Sequence, residues 1–343
     1  MSDTIDEALD LLAGTGPEYT GGLSNHGPMA AEALIALGRS DAAIPWVEGY
    51  GPRLFPPART VTAVSRENWR EALGDYNRVG DWIAFFDREL AEHPWREVLD
   101  CWVRWLAPAA ISSAMHGLIR TAHAARSLGA RQTPQRTKEL AQGLGYWAAT
   151  YLLLPDGTPE ATGTLSPSQA IAQIERPLHP REIAGSITDG LTHLDSSPSF
   201  TGVSALVDTR GEPAAFISDL TRTFASIYLA NAHDLLSTII FIHSITGPSA
   251  IRLLLPHLSD DASALLLRHG WQSAAALYTA FAAAPAAEPL EPCNESWDDL
   301  IERAVTTGDE HAIKFTEACL REDRLAPQPI YAAAVRDAII RLS

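Results

Sequence analysis

Eleven histidines are spread over the 343 residues, and several fall in stretches whose other residues are apolar. Across residues 110–128, His116 and His123 are seven apart and share a helix face, because seven residues at about 100° each nearly close two turns. That face also carries Ile119 and Ile111 or Ser112. Across residues 231–243, His233, Leu236, Ile240 and His243 follow one face, and across 309–321, His311, Lys314, Phe315 and Ala318 form one stripe. A lysine in such a stripe must be paired, neutralised or modified when buried. A single histidine on an apolar face is usually a satisfied core residue, and a lone lysine usually snorkels to solvent. Four or five imidazoles on apolar helix faces of one domain are another matter. They suit iron, copper, zinc or nickel, and facing helices are a recurrent frame for a metal.

Spacing trims the set. His233 and His243 would lie about 15 Å apart along a helix axis, so only one of them can hold a given ion. His116 and His123, about 10 Å apart, could share one only with their rings leaning together. His311 and Lys314, three apart, are the easiest pair. His93, His179 and His257 each adjoin a proline and read as loop residues, and His193 looks incidental. A weak echo links His26-Gly27, His116-Gly117 and His269-Gly270, each leading into an alanine-rich stretch, with His243 in a looser form. Its spacing is uneven, so it is no fixed repeat.

Most of the chain that must position these residues reads as helix. Apolar residues at three- and four-residue spacings mark 6–13, 28–38, 65–73, 82–92, 95–106, 110–128 and 137–154. They continue through 166–175, 181–194, 213–232, 235–243, 248–255, 261–267, 273–282, 297–306, 309–321 and 329–342. Gly38 and Gly129 follow helices as C-terminal glycines do, and Ser166-Pro167, Thr246-Gly247-Pro248 and Ser259-Asp260-Asp261 are good starts. Strand signals are confined to 60–64 and 202–207. Residues 155–165 and 282–296 read as loops. The expectation is an all-α fold, a single large multi-helix domain over residues 1–343 with a metal site in its core. A break near 155–165 is the fallback.

With 42 acidic and 26 basic side chains the net charge is −16, which disfavours phosphate backbones and anionic membrane surfaces as partners. Charged residues are only 20% and apolar ones 46%, enough to fill a core. Cys101, Cys293 and Cys319 are too few and too scattered for a disulfide framework or a thiolate cage. The acidic N-terminus lacks the layout of a signal peptide. The longest apolar stretches, such as 235–242 with Ser237 and Thr238 inside it, fall short of the ~20 residues of a membrane span. These features point to a cytoplasmic protein with reduced thiols, binding neither nucleic acid nor membrane. Gly143-Leu144-Gly145-Tyr146-Trp147-Ala148 matches G-x-G-x-x-A, but a helix rather than a strand precedes it, which rules out the dinucleotide fingerprint. No phosphate-binding lysine loop, G-x-S-x-G or H-E-x-x-H occurs. The nine tryptophans sit mostly at helix spacing and read as core.

Asn25-His26-Gly27-Pro28-Met29 with Glu32-Ala33-Leu34, and His116-Gly117-Leu118-Ile119-Arg120-Thr121-Ala122-His123-Ala124, resemble the questin oxidase-like family. So do His243-Ser244-Ile245-Thr246-Gly247-Pro248 and Asp309-Glu310-His311-Ala312-Ile313-Lys314, in the family's order. The resemblance implies an α-helical oxidoreductase of secondary metabolism, whose fungal members open anthraquinone rings such as that of questin in a formal Baeyer–Villiger oxidation. It further implies a mononuclear non-haem iron centre (Fe2+ or another divalent transition metal) with four histidines, a carboxylated lysine and dioxygen as co-substrate. Carried over by motif, Lys314 is the modified lysine. The four histidines come from His26, His116, His123, His243 and His311, with the choice among the five open. A small aromatic polyketide is the implied substrate.

Three other readings remain. A metal-dependent hydrolase with a carboxylated lysine needs a parallel barrel and an H-x-H pair that the sequence lacks. A helical interaction protein would keep every histidine structural. A member of the same family could instead use NADPH as reductant. Arg120 and Arg252, each near a histidine motif, could grip a phenolate, but a structural salt bridge is the simpler role for both.

Overall fold

The structure is a computed structural model that describes residues 3–157, 163–175, 187–194, 200–286 and 293–343. The chain begins with α1 (Thr4–Leu12), a two-residue antiparallel hairpin of β1 (Glu18–Tyr19) and β2 (Leu23–Ser24), and α2 (Gly27–Ala36). There follow α3 (Ser40–Tyr50), α4 (Trp69–Ala72), α5 (Val79–Glu92), α6 (Trp95–Leu106), α7 (His116–Ala130) and α8 (Pro134–Ala149). The short α9 (Pro167–Ile171) and α10 (Ile187–Gly190) lead into α11 (Pro213–Asn231), α12 (Leu235–Leu254) and α13 (Asp260–Phe281). The chain closes with α14 (Trp297–Thr307), α15 (Glu310–Leu325) and α16 (Pro329–Leu342). The architecture is all-α. Residue 179 and residues 181–186 of the helix expected over 181–194 lie outside the described residues, as do parts of the loops at 155–165 and 282–296.

Local chemistry starts the helices where the packing needs them. Side chains accept the first free backbone N–H groups at Thr133 (α8), Asp234 (α12), Ser259 (α13), Ser296 (α14) and Asp309 (α15). Two expected breaks are absent. The helices expected over 235–243 and 248–255 are one helix, α12, running through Pro248. Those over 261–267 and 273–282 are likewise one, α13, running through Gly270. A central glycine costs about 1 kcal/mol and a proline about 3. Burial outweighs both, since α12 and α13 bury nearly every side chain on both sides of these positions, Trp271 included. Elements also shrink, appear or vanish. Helix 65–73 contracts to α4, and α3 forms although Pro45 interrupts its pattern. Segment 60–64 is a loop pinned by Asp81, which accepts from the N–H groups of Val61 and Thr62. In place of a strand at 202–207 there is a 3-10 turn, Val203–Ala205, with a single bridge between Leu165 and Val207.

One apolar interior extends from Met29 to Ile339, so residues before and after 155–165 share it. Through it α12 passes between α7, α11, α13 and α15, while α2 rests on α7 and α15. With the turn that follows, Leu235–His257 is long and apolar enough by composition to cross a membrane, contrary to the sequence expectation. Most of it is buried inside the protein, the setting of a core helix.

Candidate metal centre

Four chain segments converge where α2, α7, α12 and α15 meet. His26 sits at the junction of β2 and α2, and its backbone N–H donates to the Tyr50 hydroxyl at 2.8 Å. Asn25 locks that junction, accepting from the N–H of Gly27 and donating to the carbonyl of Gly16, both at 2.8 Å. His116 opens α7, although the sequence pattern had the helix starting at 110. The residues just before it form a left-handed turn, with φ of 47° at Ser113, 54° at Ala114 and 69° at Met115. Each such residue costs roughly 1–2 kcal/mol when it is not glycine, and strain of this kind persists only where its surroundings enforce it. His243 lies in the middle of α12, and His311 in the first turn of α15, where Asp309 accepts from its N–H at 2.7 Å.

The four imidazoles form a closed ring of contacts. Ring centroids are 4.6 Å apart for His26 and His116, 4.7 Å for His26 and His311, 4.6 Å for His116 and His243, and 5.6 Å for His243 and His311. Ligand nitrogens of His26, His116 and His311 lie within 4.8 Å of one another. His116 donates its Nδ1–H to the carbonyl of Ser113 at 2.5 Å, and His243 donates its own to the carbonyl of Ile239 at 2.6 Å. A carbonyl can only accept, so each neutral ring carries its lone pair on Nε2. These two Nε2 atoms face each other at 3.2 Å. Among the described residues, the buried Nδ1 of His26 has no hydrogen-bond partner.

Burial, with Lys314 and the neighbouring rings as lesser causes, pushes the His26 and His116 imidazoles well below their ordinary pKa. Burial does the same to His243, helped by His311 and Lys314. Lys314 is 3% exposed, and burial lowers its amine to about 8 despite the opposing pull of Glu310 and Asp309. His26, His116 and His243 are thus held neutral near a cation that burial is trying to discharge.

His123, the fifth histidine, is directed elsewhere. Its Nδ1 meets Glu32 at 2.6 Å, and Arg126 joins Glu32 to Glu317. Burial alone would raise the Glu32 carboxyl, but Arg126 and His123 bring it down to about 2. This buried network braces α2, α7 and α15 against each other behind the imidazoles. Arg126→Met would leave Glu32 and Glu317 buried without their shared cation, at a cost of about 3 kcal/mol. Urea denaturation near neutral pH reads this directly, and an unchanged midpoint would contradict it. Glu32 had escaped notice as a functional residue. Its one signal was a carboxylate embedded in the apolar run Met29-Ala30-Ala31-Glu32-Ala33-Leu34.

Other candidates resolve simply. Arg120 pairs with Glu139 at 2.6 Å and Arg252 with Glu322 at 2.6 Å, the structural salt bridges expected of them. His233 is exposed and precedes α12. His269 is buried against Gln272 at 2.8 Å.

A family model described as questin oxidase-like matches residues 23–319, a span that takes in His26, His116, His123, His243, His311 and Lys314. A search of curated proteins finds no match.

Proposed function

The chain belongs to the questin oxidase-like family, and from that membership and the imidazole cluster we propose a metal-dependent oxygenase acting on an aromatic polyketide of the anthraquinone kind. The reaction is oxidative ring cleavage or Baeyer–Villiger-type oxygen insertion. One observation carries this reading: the Nε2 atoms of His116 and His243, 3.2 Å apart with both Nδ1–H groups already committed to carbonyls. Two facing lone pairs repel unless a cation shares them, and the unpartnered Nδ1 of His26 adds to the demand. His26, His116, His243 and His311 therefore fit a divalent transition metal, with iron as the first choice. A bare Lys314 ammonium would repel that ion. The neutral amine, available because burial lowers it to about 8, can instead add to carbon dioxide. An N–C bond forms, a proton leaves, and the side chain becomes an anionic oxygen donor.

When bound, iron supplies redox chemistry toward dioxygen that no side chain offers. The chain's own residues do the rest. The carbonyls of Ser113 and Ile239 hold two imidazoles in one tautomer and orientation, and burial of the ring keeps bulk water away. Ring cleavage that places both atoms of dioxygen in the product draws all four electrons from the substrate, and insertion of a single atom draws the two that reduce the other atom to water from oxidation of a hydroquinone substrate to the quinone, so no nicotinamide is needed. The proposed setting is the cytoplasm, with a small aromatic substrate and no nucleic acid or membrane.

The test is metal content and dioxygen uptake with a hydroxyanthraquinone and with its reduced hydroquinone form, each with and without NADPH. Stoichiometric iron and NADPH-independent uptake are expected. A chain that takes up neither Fe2+ nor Co2+, or that turns over unchanged once its metal has been shown to be removed, overturns the reading. His243→Ala should weaken metal binding by at least about 100-fold, the upper range for losing even an outer partner of a metal ligand.

A further inference from the structure

The glycine-containing motif at 143–148, rejected as a nucleotide fingerprint, has a different use. A Cβ at Gly143 would come within 2.9 Å of the Thr121 backbone nitrogen, and one at Gly145 within 2.9 Å of that of Ile83. Side chains there would force α8 away from α7 and α5, so the two glycines let α8 lie close between them. This brings Tyr146, 1% exposed, to a place between two separate stretches of chain.

The Tyr146 hydroxyl has one proton to donate and two lone pairs to offer. It donates to Glu18 Oε1 at 3.0 Å, and it shares a 2.8 Å hydrogen bond with the Ser24 hydroxyl. The Ser113 side chain stands beside the same hydroxyl and acts on it electrostatically. With Glu18 accepting from the phenol, Ser24 donates to its oxygen, and the remaining lone pair is open to the Ser113 hydroxyl. Ser24 stands two residues before His26. Ser113 stands three before His116, and its carbonyl takes the His116 Nδ1–H. Ser113 also begins the left-handed turn, which Ser112 holds from its other side by accepting the N–H of Leu152 at 3.0 Å.

We propose that Tyr146, oriented by Glu18, is a positioning residue that sets His26 and His116 relative to each other by tying together the segments that carry them. This rests on the metal reading of the imidazole cluster. It predicts that the hydroxyl matters to the geometry of metal binding more than to the stability of the fold, because Phe can fill the same space.

Co2+ binding followed by visible absorption tests it, since the absorption reports ligand geometry independently of turnover. Tyr146→Phe should bind Co2+ roughly tenfold more weakly, the low end for losing an outer partner of a ligand, and with a changed spectrum. Ser24→Ala and Ser113→Ala should each show part of that loss. They remain informative if the phenylalanine variant does not fold. The double serine variant should be no worse than Tyr146→Phe, because all three act through one oxygen. The control is Tyr331→Phe, which removes a buried tyrosine hydroxyl bonded to Thr221 at 2.8 Å and away from the histidines. It should leave Co2+ affinity and spectrum unchanged. Wild-type affinity and spectrum in Tyr146→Phe, or in both serine variants, would overturn the positioning role while leaving the metal site intact. Failure of the wild-type chain to bind Co2+ would overturn the metal reading, and this inference with it.

Discussion

The metal-free protein should lose stability steeply once the pH falls below about 6.5, the ordinary value of histidine. His26, His116 and His243 are all held far below that value by burial, so they stay neutral in the fold where the unfolded chain protonates them. The unfolded state then binds up to three more protons, and each contributes about 1.4 kcal/mol per pH unit, or about 4 kcal/mol per unit together. Against a total of roughly 5–15 kcal/mol for a folded domain, one to two pH units consume much of it. Below the folded values the slope flattens, because both states are then charged. A bound divalent metal should blunt the effect, adding about 4 kcal/mol at a thousandfold excess over its dissociation constant while binding is sustained. Urea midpoints of chelated protein at about pH 7, 6 and 5, with and without Co2+, measure both limbs; a midpoint that stays flat across this range would refute the account. His243→Gln should take away about a third of the slope.

Lys314→Met should abolish metal-dependent oxidation and yet make the metal-free protein more stable. The amine is lowered from 10.5 to about 8, a displacement that corresponds to about 3 kcal/mol of unfavourable charge burial at neutral pH. Methionine occupies a similar volume without the charge. In bicarbonate-free buffer near pH 7 the variant should therefore exceed the wild type by up to about 3 kcal/mol. The gap should close as pH rises. Between about 8 and 10.5 the folded lysine has shed its proton and the unfolded one has not, so the wild type gains stability with pH across that window. A variant less stable than the wild type at neutral pH would show that Lys314 has a favourable partner in the apo fold. A variant that still oxidises substrate would remove Lys314 from the chemistry. A residue that costs stability and is nevertheless buried among imidazoles is what a functional site looks like energetically.

The helices were legible where one face is apolar and the ends are marked, as in α6, α11, α14 and α16, whose limits match the periodicity within a residue or so. The pattern misled in α12 and α13, since a helix buried on every side has no polar face to give it a period, and Pro248 and Gly270 then read as breaks. The turn at 113–115 was illegible for the opposite reason. Ser-Ala-Met carries no glycine to announce positive φ, and the bonds that hold the turn include a long-range one, from the Leu152 N–H to the Ser112 hydroxyl. For the site, the histidine types and the odd lysine were visible in sequence. What separates His123 from the others was not, because its partner Glu32 lies 91 residues away in the chain. The hairpin of β1 and β2, two residues per strand, is too short to leave an alternating pattern, yet it carries Glu18 and Ser24 to Tyr146.

Burial of the imidazole ring has a kinetic consequence as well. No histidine of the four is more than 8% exposed, and they arrive on segments drawn from residue 26 to residue 311. An ion held there is screened from a chelator in solution by the buried rings around it. Its departure must wait for a local or global opening of the helices, events with their own free energy and rate. Loss of metal should then be first order and insensitive to chelator concentration, with a residence time set by how often the fold breathes rather than by how strongly the ion is grasped.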